Sequence, residues 1–170
     1  MKEAKDISAL ADKLQARFGS DLVSMDAGGG IPVAVVSKDR IFDVISFLYR
    51  EEDLAFRFLT TLCGVHYPLH EKDRTYSVVY HLHSLTSNTR LRVKIFFSED
   101  KPEVPSLTPL FSAANWMERE AYDFYGIIFK GHPDLRRILN MDDMKGFPMR
   151  KEFPLEDPTR EDKDDSMFGR

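Results

Sequence analysis

The chain has 170 residues, of which 42% are hydrophobic, and this length and apolar content suffice for one domain with a sizeable core. Its formal net charge is −4, with acidic and basic residues mixed along the chain. This mixture excludes the concentrated cationic face by which proteins bind a phosphate backbone, so nucleic acid is not an expected partner.

The apolar runs of the sequence are too short to cross a bilayer. The longest, around 33–36 and 127–129, are strand-sized, whereas a spanning helix needs roughly 20 apolar residues. The N-terminus spreads its charges along a helical period and lacks the apolar region and cleavage site of a secretory signal. We therefore expect the chain to stay in the cytoplasm.

Cys63 is the single cysteine of the sequence. A single thiol excludes an internal disulfide and any iron–sulfur cluster held by four thiolates of this chain. If the protein belongs to an electron-transfer assembly, the redox centres must sit in partner chains, and its own contribution must be structural.

Apolar spacing predicts two amphipathic helices in the first fifty residues. The first would end at Gly19, and the second would begin after Asp39 as its N-cap. Their apolar stripes are Ile7, Leu10, Ala11, Leu14 and Phe18 in the first helix, and Ile41, Val44, Ile45 and Leu48 in the second.

Two strands are predicted between these helices, one starting at Leu22 and one spanning 31–37. Gly28, Gly29 and Gly30 would form the turn between them. This glycine run lacks both the GxxxxGK[ST] pattern and a GxGxxG sequence that opens into a helix. A hairpin turn is therefore favoured over a phosphate-binding loop.

Alternating apolar side chains predict the remaining strands. Phe56, Phe58 and Thr60 alternate, and a longer antiparallel hairpin follows around a turn at Ser87 and Asn88. The inward side chains of this hairpin would be Tyr76, Val78, Tyr80 and Leu82 on one strand, and Leu91, Val93, Ile95 and Phe97 on the other.

A third helix is predicted to end at Gly126, and Gly and Pro recur too often after that glycine for long elements. Its apolar stripe is Leu110, Ala113, Ala114, Met117, Ala121 and Phe124. This stripe would place Glu118, Arg119, Tyr122 and Asp123 off the buried side of the helix.

Together these patterns predict an α+β fold, in which a small, largely antiparallel sheet has helices packed on it. The globular domain would comprise residues 1–125. Residues 126–170 would form an extended, irregular C-terminal arm that leaves the globule and serves for docking.

Residues 118–155 read EREAYDFYGIIFKGHPDLRRILNMDDMKGFPMRKEFPL and are called the docking strip below. Charges of both signs alternate there with aromatic residues, Gly and Pro, a mixture typical of a segment laid along another protein. The residues predicted to dock a partner are Glu118, Arg119, Glu120, Tyr122, Asp123, Gly126, His132, Pro133, Asp134, Leu135, Arg136, Arg137, Gly146, Pro148, Arg150, Lys151, Phe153 and Pro154.

Acid–base catalysis is an alternative for the strip, because Glu118, Glu120 and Asp123 could work as carboxylates beside His132. The spacing of four residues between Arg119 and Asp123 instead favours an ordinary ion pair on the helix surface. His132 follows a glycine and precedes a proline, so a fixed hydrogen bond is favoured over catalysis.

The strip also contains two basic pairs, Arg136 with Arg137 and Arg150 with Lys151. Such pairs can bind anionic lipid, but guanidinium groups suit the carboxylates of a partner protein equally well. Both interpretations stay open for these four residues.

A zinc site is the main alternative outside the strip, with candidate ligands Cys63, His66, His70, His81 and His83. The stretch lacks a second cysteine, and chance clustering is favoured. Cys63 as a nucleophile would need a base such as His66 and a lowered pKa, so a buried, inert thiol is the preferred interpretation.

Three blocks of the docking strip, EREAYDFYG, GHPDLRRIL and GFPMRKEFP, carry a resemblance to a known family. In order and spacing they resemble the 30 kDa subunit family of respiratory NADH:quinone oxidoreductase, whose bacterial members are designated by the letter C. That family usually has Trp where Met144 stands here, and methionine can fill an aromatic slot by adaptable packing.

The resemblance implies a non-catalytic peripheral-arm subunit of the proton-translocating enzyme, which supports the quinone-site and iron–sulfur subunits during electron transfer from NADH to quinone. Its partners would be the 49 kDa-like (D) subunit and the iron–sulfur subunits B and I, in a hetero-oligomer on the cytoplasmic side of the cell inner membrane. The chain itself would hold no cofactor and no metal, since the iron–sulfur clusters and FMN would sit in partner subunits.

Two other functions stay open. The nearer one is the homologous subunit of a membrane-bound hydrogenase or of another quinone- or ferredoxin-linked dehydrogenase, whose docking strip would look similar. The more distant one is a free-standing, metal-dependent hydrolase that uses the cysteine and histidines.

Overall fold

The computed structural model of the chain describes residues 2–26 and 30–154. Gly28 and Gly29 of the predicted glycine turn, the side chain of Ile7, and the arm from Leu155 onward lie outside the described part. No helix within the described part combines the length and the apolar character that a membrane crossing requires.

Helices α1, Lys2–Phe18, and α2, Ile41–Arg50, form where apolar spacing predicts them. Gly19 ends α1 with a left-handed φ of +53°, a backbone angle that costs glycine least. The prediction of Asp39 as N-cap of α2 is wrong. Asp39 lies in a 3-10 turn, Lys38–Arg40, that runs directly into α2, and the N-cap position is taken by Arg40 instead.

Five strands form the main sheet in the order β1-β2-β5-β4-β3. They are β1 Leu22–Asp26, β2 Val33–Val36, β3 Phe58–His66, β4 Tyr76–Ser84 and β5 Thr89–Phe97. All neighbouring pairs are antiparallel except β2 with β5, which run parallel. The α+β expectation is confirmed, and the largely antiparallel sheet is in detail a mixed one.

The predicted hairpin is confirmed as β4 and β5, whose inward side chains are all buried. The prediction for β3 is partly wrong, because Phe56 precedes the strand and Phe58 is exposed. A bulge between Leu59 and Thr61 adds one residue to β3, and Leu59 and Leu62 both face the core as a result.

Helix α3, Ala114–Tyr125, is followed at once by a strand, so the prediction of irregular structure from residue 126 onward is wrong at this point. This strand, β7 (Ile128–Lys130), pairs in parallel with β6 (Glu103–Pro105) in a second, two-stranded sheet. Gly126 closes α3 in the left-handed region with φ +76°, as predicted. The two short strands tie the C-terminal segment to the segment that precedes α3.

The helices and the sheet share one core, which lies on one face of the sheet. Its members include Leu14 of α1, Ile45 of α2 and Ala121 of α3, together with the inward residues of the strands. The side chains that alternate with those inward residues form the opposite face, which we call the outer face of the sheet.

After β7, residues 131–154 contain no further helix or strand, as predicted. This segment does not leave the globule. The backbone N–H of Met149 donates to the Phe124 carbonyl at 3.2 Å, and the N–H of Lys151 donates to His66 Nδ1 at 3.1 Å. The described part of the arm therefore lies back on α3 and on the edge strand β3.

Candidate docking site

Asp123, on the last turns of α3, organises the middle of the docking strip. Its Oδ2 accepts hydrogen bonds from the backbone N–H groups of Ile138 at 3.1 Å, Leu139 at 2.8 Å and Asn140 at 2.9 Å. Its Oδ1 accepts from the Asn140 side chain at 3.0 Å and from Arg137 Nη1 at 2.9 Å. One carboxylate thus fixes three consecutive residues of an irregular loop.

The environment of Asp123 keeps it ionised. The side chain is 0% exposed, and burial alone would raise its pKa. The hydrogen bonds from the Asn140 and Leu139 backbones, the Asn140 side chain and the Ile138 backbone outweigh burial and hold the pKa of Asp123 far below its ordinary value.

Arg137 closes the same loop from its other end. Its guanidinium donates to the Met144 carbonyl at 3.1 Å and to the Gly146 carbonyl at 3.0 Å, in addition to Asp123. The guanidinium carbon also lies 5.3 Å from the ring centre of Phe147. Residues 137–147 are therefore tied to α3 by a buried acid and a largely buried arginine.

Arg119 binds the strip through backbone carbonyls. Its Nε donates to the Arg136 carbonyl at 3.2 Å, and Nη2 donates to the Arg137 carbonyl at 3.1 Å. The predicted surface ion pair between Arg119 and Asp123 is wrong, because the strip folds over this face of α3 and supplies Arg137 as the partner of the acid.

Glu118 is also buried, at 0% exposure, although the helical pattern placed it off the buried side. Its carboxyl bonds Ser106 Oγ and the backbone N–H of Leu107, both at 2.6 Å. Burial raises the pKa of Glu118 to about 7, and these two hydrogen bonds oppose the rise only in part. The prediction that Glu118, Arg119 and Asp123 lie on the exposed side of α3 is therefore wrong, because neighbouring segments cover all three side chains.

Arg150 holds the end of the described strip. Its Nε donates to the Tyr125 carbonyl at 3.0 Å, and Nη1 pairs with Glu99 at 2.9 Å. The guanidinium lies over the rings of Phe147 and Tyr76, at 4.7 and 5.4 Å from their centres. The C-terminal part of the strip is thereby joined to the main sheet.

His132 makes the fixed hydrogen bonds that its turn predicts. Its Nδ1 accepts from the backbone N–H of Asp134 at 3.0 Å, so the ring proton is on Nε2. Nε2 then donates to the Asn115 carbonyl at 3.1 Å. The His132 ring thereby holds a turn against α3.

The predicted docking residues divide into three groups by exposure. Glu118, Arg119, Asp123 and Gly126 are buried, and they support the strip from within. Tyr122, His132, Leu135, Arg137, Pro148, Arg150 and Phe153 are partly buried, whereas Glu120, Pro133, Asp134, Arg136, Gly146, Lys151 and Pro154 are exposed. Of the basic residues weighed for lipid, Arg136 and Lys151 are the ones that lie open to solvent.

The structure adds three residues that sequence reasoning did not single out. Leu139, Met141 and Met149 project from the strip with exposures of 65%, 73% and 52%. Large apolar side chains that a fixed backbone exposes to solvent are suited to burial in an interface with another protein. The sequence signal for these three residues was that they are large and apolar, yet lie in a segment without the helical or strand period that would place them in the core.

The cysteine and histidine cluster does not converge. Within residues 2–26 and 30–154, no three His, Cys, Asp or Glu side chains are placed to hold a metal ion. His66 stacks on Tyr76, while His81 projects from the outer face. The prediction that Cys63 is buried is wrong, since it is exposed on edge strand β3, and partial shielding raises the pKa of its thiol.

Known proteins match the chain over most of its length. Residues 34–159 match the family described as respiratory-chain NADH dehydrogenase, 30 Kd subunit. The C 2 subunit of NADH-quinone oxidoreductase from Rhizobium etli (strain CIAT 652) is 46% identical over 143 residues, which cover 84% of this chain and 74% of the relative. The C subunit of the same enzyme from Burkholderia multivorans (strain ATCC 17616 / 249) is 41% identical over 157 residues, covering 89% and 78%.

Two solved structures share the fold. One, described as Nqo5 of the trypsin-resistant fragment (1-134), has a TM-score of 0.63 and 29% identity, and covers 74% of this chain and 98% of that one. The other, a membrane-bound sulfane sulfur reductase described as an archaeal respiratory membrane complex, has a TM-score of 0.72 and 22% identity, covering 87% and 85%. The family match and the identities to its members show that the chain belongs to the 30 kDa subunit family of respiratory-chain NADH dehydrogenase.

Proposed function

We propose that this chain is a non-catalytic, peripheral subunit of proton-translocating NADH:quinone oxidoreductase. Its docking strip joins it to the 49 kDa-like (D) subunit and the iron–sulfur subunits B and I, on the cytoplasmic side of the inner membrane. In this role it holds the electron-transfer and quinone-site subunits in a fixed geometry, while the iron–sulfur clusters and FMN belong to the partners.

The observation that carries the proposal is the loop fixed by Asp123. The carboxylate binds three successive backbone N–H groups, and the same loop exposes Leu139 and Met141. Because the backbone is already ordered, docking avoids much of the entropy cost of immobilising a loop. Two apolar side chains on such a loop have the character of interface anchors.

The non-catalytic part of the proposal rests on how the polar groups of the strip are used. Glu118, Asp123 and Arg137 form hydrogen bonds within the chain and are buried or nearly so. A general acid or base must reach a proton on a substrate, and these groups are occupied in holding the backbone.

The test replaces the two anchors and leaves their support intact. We expect Leu139→Ser/Met141→Ser to lower the amount of chain incorporated into the membrane complex by about tenfold or more, since burying such anchors contributes over 1 kcal/mol each. NADH:quinone reductase activity of the membranes should fall in parallel. Native gels and activity assays measure the two quantities.

Leu69→Ser/Leu85→Ser is the matched control, because these leucines are exposed at 97% and 69% and lie outside the strip. This control should assemble as the wild type does. Normal assembly of the Leu139/Met141 variant would contradict the docking role of the strip.

A further inference from the structure

The outer face of the sheet carries a row of three cations on β5. Arg90, Arg92 and Lys94 alternate with inward residues and therefore project on the same side, spanning about 14 Å along the strand. Strand pairing sets further side chains beside them. One cross-strand row is Asp26, Val33, Arg92, His81 and Thr61, and the next is Ser24, Val35, Lys94, Val79 and Cys63.

Several other cations on the surface, such as Lys38, Arg50 and Lys145, also have no ion pair in the described part of the chain, whereas some have carboxylate partners. Arg40 pairs with Asp43 at 2.7 Å and Lys130 with Glu103 at 2.5 Å. Among the described residues, no carboxylate forms an ion pair with Arg90, Arg92 or Lys94. Arg90, Arg92 and Lys94 thus place three positive charges, without an ion pair among the described residues, on one side of β5.

Arg92 has one guanidinium nitrogen that the described residues leave without a hydrogen bond, a state shared by five buried hydroxyl groups. Its Nε is buried and has no hydrogen-bond acceptor within residues 2–26 and 30–154. A buried donor left without an acceptor costs free energy, and it is normally satisfied. His81 lies beside Arg92. Partial burial, and then the charges of Arg92 and Lys94, lower the pKa of His81, so its imidazole is harder to protonate and does not add a positive charge to the row.

We propose that the outer face is a second docking surface, and that its occupant is a carboxylate-rich segment of another protein that pairs with Arg90, Arg92 and Lys94. The guanidinium groups of Arg90 and Arg92 suit carboxylates in two-point contacts. Apolar neighbours such as Val33 and Val35 would be covered by the same segment.

A protein occupant is favoured over a nucleic acid or a lipid surface. The cations form one short row flanked by valines on a chain of net charge −4, whereas a phosphate-backbone binder presents a broad basic face. This proposal rests on the proposed function, because it requires the chain to have partner proteins. It concerns a face other than the docking strip, so the proposal for the outer face and the proposed role of the strip can fail separately.

Zero-length cross-linking tests the proposal directly. A carbodiimide joins a lysine amine to a carboxylate only when the two are in contact. In the native complex isolated from the cells that make this protein, Lys94 should be joined to an Asp or Glu of another protein, as read by mass spectrometry of cross-linked peptides. Lys94→Arg keeps the charge and should assemble normally while losing the cross-link.

A charge-reversal variant provides the second measurement. We expect Arg90→Glu/Lys94→Glu to lower recovery of the complex by about tenfold at low salt. The difference from the wild type should shrink at raised salt, because salt screens the charges on both sides of the interface. Arg17→Glu/Lys101→Glu changes the net charge equally at two exposed sites away from this face and should have no such effect. Folding of each variant is checked by its circular dichroism.

The outcomes separate the possibilities. A Lys94 cross-link to another protein supports the inference, even if the Leu139/Met141 variant assembles normally and the proposed role of the strip fails. A Lys94 cross-link confined to residues 155–170 of this chain would overturn it. The absence of any Lys94 cross-link would overturn it as well.

Discussion

The sheet-and-helix domain and the docking strip are held together by different chemistry. In the domain, apolar residues such as Ile45, Leu48 and Val78 are fully buried and their contacts are non-directional. In the described part of the strip, charged side chains on α3 and on the strip bond the backbone groups of the loop. The comparison shows that a segment without helical or strand periodicity can be given one shape by a few buried polar side chains.

The two kinds of support should respond differently to mutation. Truncating an apolar residue removes contacts and leaves a cavity, and the loss spreads over the domain. Removing one member of a buried polar network leaves its partners without hydrogen bonds in a low dielectric. Residues 137–147 of the strip should therefore detach as a unit while the domain keeps its fold.

Asp123→Ala should have the largest effect. It leaves Arg137 and three backbone N–H groups without their acceptor, and breaking such a buried pair costs about 3–5 kcal/mol. We expect local release of residues 137–147, seen as faster amide exchange and new trypsin cleavage near Arg137 and Lys145, with the far-ultraviolet circular dichroism of the domain retained.

Glu120→Ala is the control for this variant, because Glu120 is exposed on the same helix. Leu48→Ala provides the contrast from the domain and should lower the free energy of global unfolding by about 2–5 kcal/mol. If Asp123→Ala destabilises the whole domain in the same way as Leu48→Ala, the distinction between the two regions is lost.

The pH dependence of stability tests the buried Glu118. Its folded-state pKa of about 7 lies above the ordinary value of 4.5, so the folded state holds a proton that the unfolded state has released between these values. Glu118 therefore favours folding most below pH 4.5, and as the pH rises to about 7 it loses roughly 3 kcal/mol of that contribution.

Glu118→Gln removes this titration and keeps an amide oxygen for the Leu107 N–H. The stability of the variant relative to the wild type should improve by up to roughly 3 kcal/mol between pH 5 and pH 8, measured by urea unfolding at both values. A relative stability that is the same at both pH values would mean that Glu118 is not held in the environment described here.

Gly126→Ala should have the smallest effect of the three. The left-handed φ of +76° costs a residue with a side chain about 1–2 kcal/mol. A Cβ at this position would also lie 2.6 Å from the Phe147 ring, so the ring must shift and loosen the stacking of Arg150. The change should appear as faster exchange near Phe147, and unaltered exchange there would count against this packing.

Much of the fold could be predicted from the sequence, because its apolar residues follow the two-residue period of strands and the 3.6-residue period of helices. Alternation in β4 and β5 and the apolar stripe of α2 are local patterns. The parallel pairing of β2 with β5 joins segments nearly sixty residues apart. The period of apolar residues indicates that a segment is a strand, but it does not specify which other strand that segment pairs with. The strands β6 and β7 have three residues each, too few for a periodic signal.

The docking strip could be located from its motifs, but the roles of its charged residues could not. Asp123 and Glu118 look like ordinary helix-surface acids, since their spacing carries no sign of burial. Their partners lie 11 to 17 residues away, in segments without periodicity, and only the folded backbone brings them together. The docking role of the strip itself stays a prediction.

The central claim is that the strip has its shape before any partner binds. Amide hydrogen exchange of Ile138, Leu139 and Asn140 in the isolated full-length chain tests it most directly. If Asp123 holds these N–H groups, they should exchange at least about a hundredfold more slowly than in an unstructured chain, which corresponds to about 2.7 kcal/mol. Exchange at the rates of an unstructured chain would contradict a preformed docking loop.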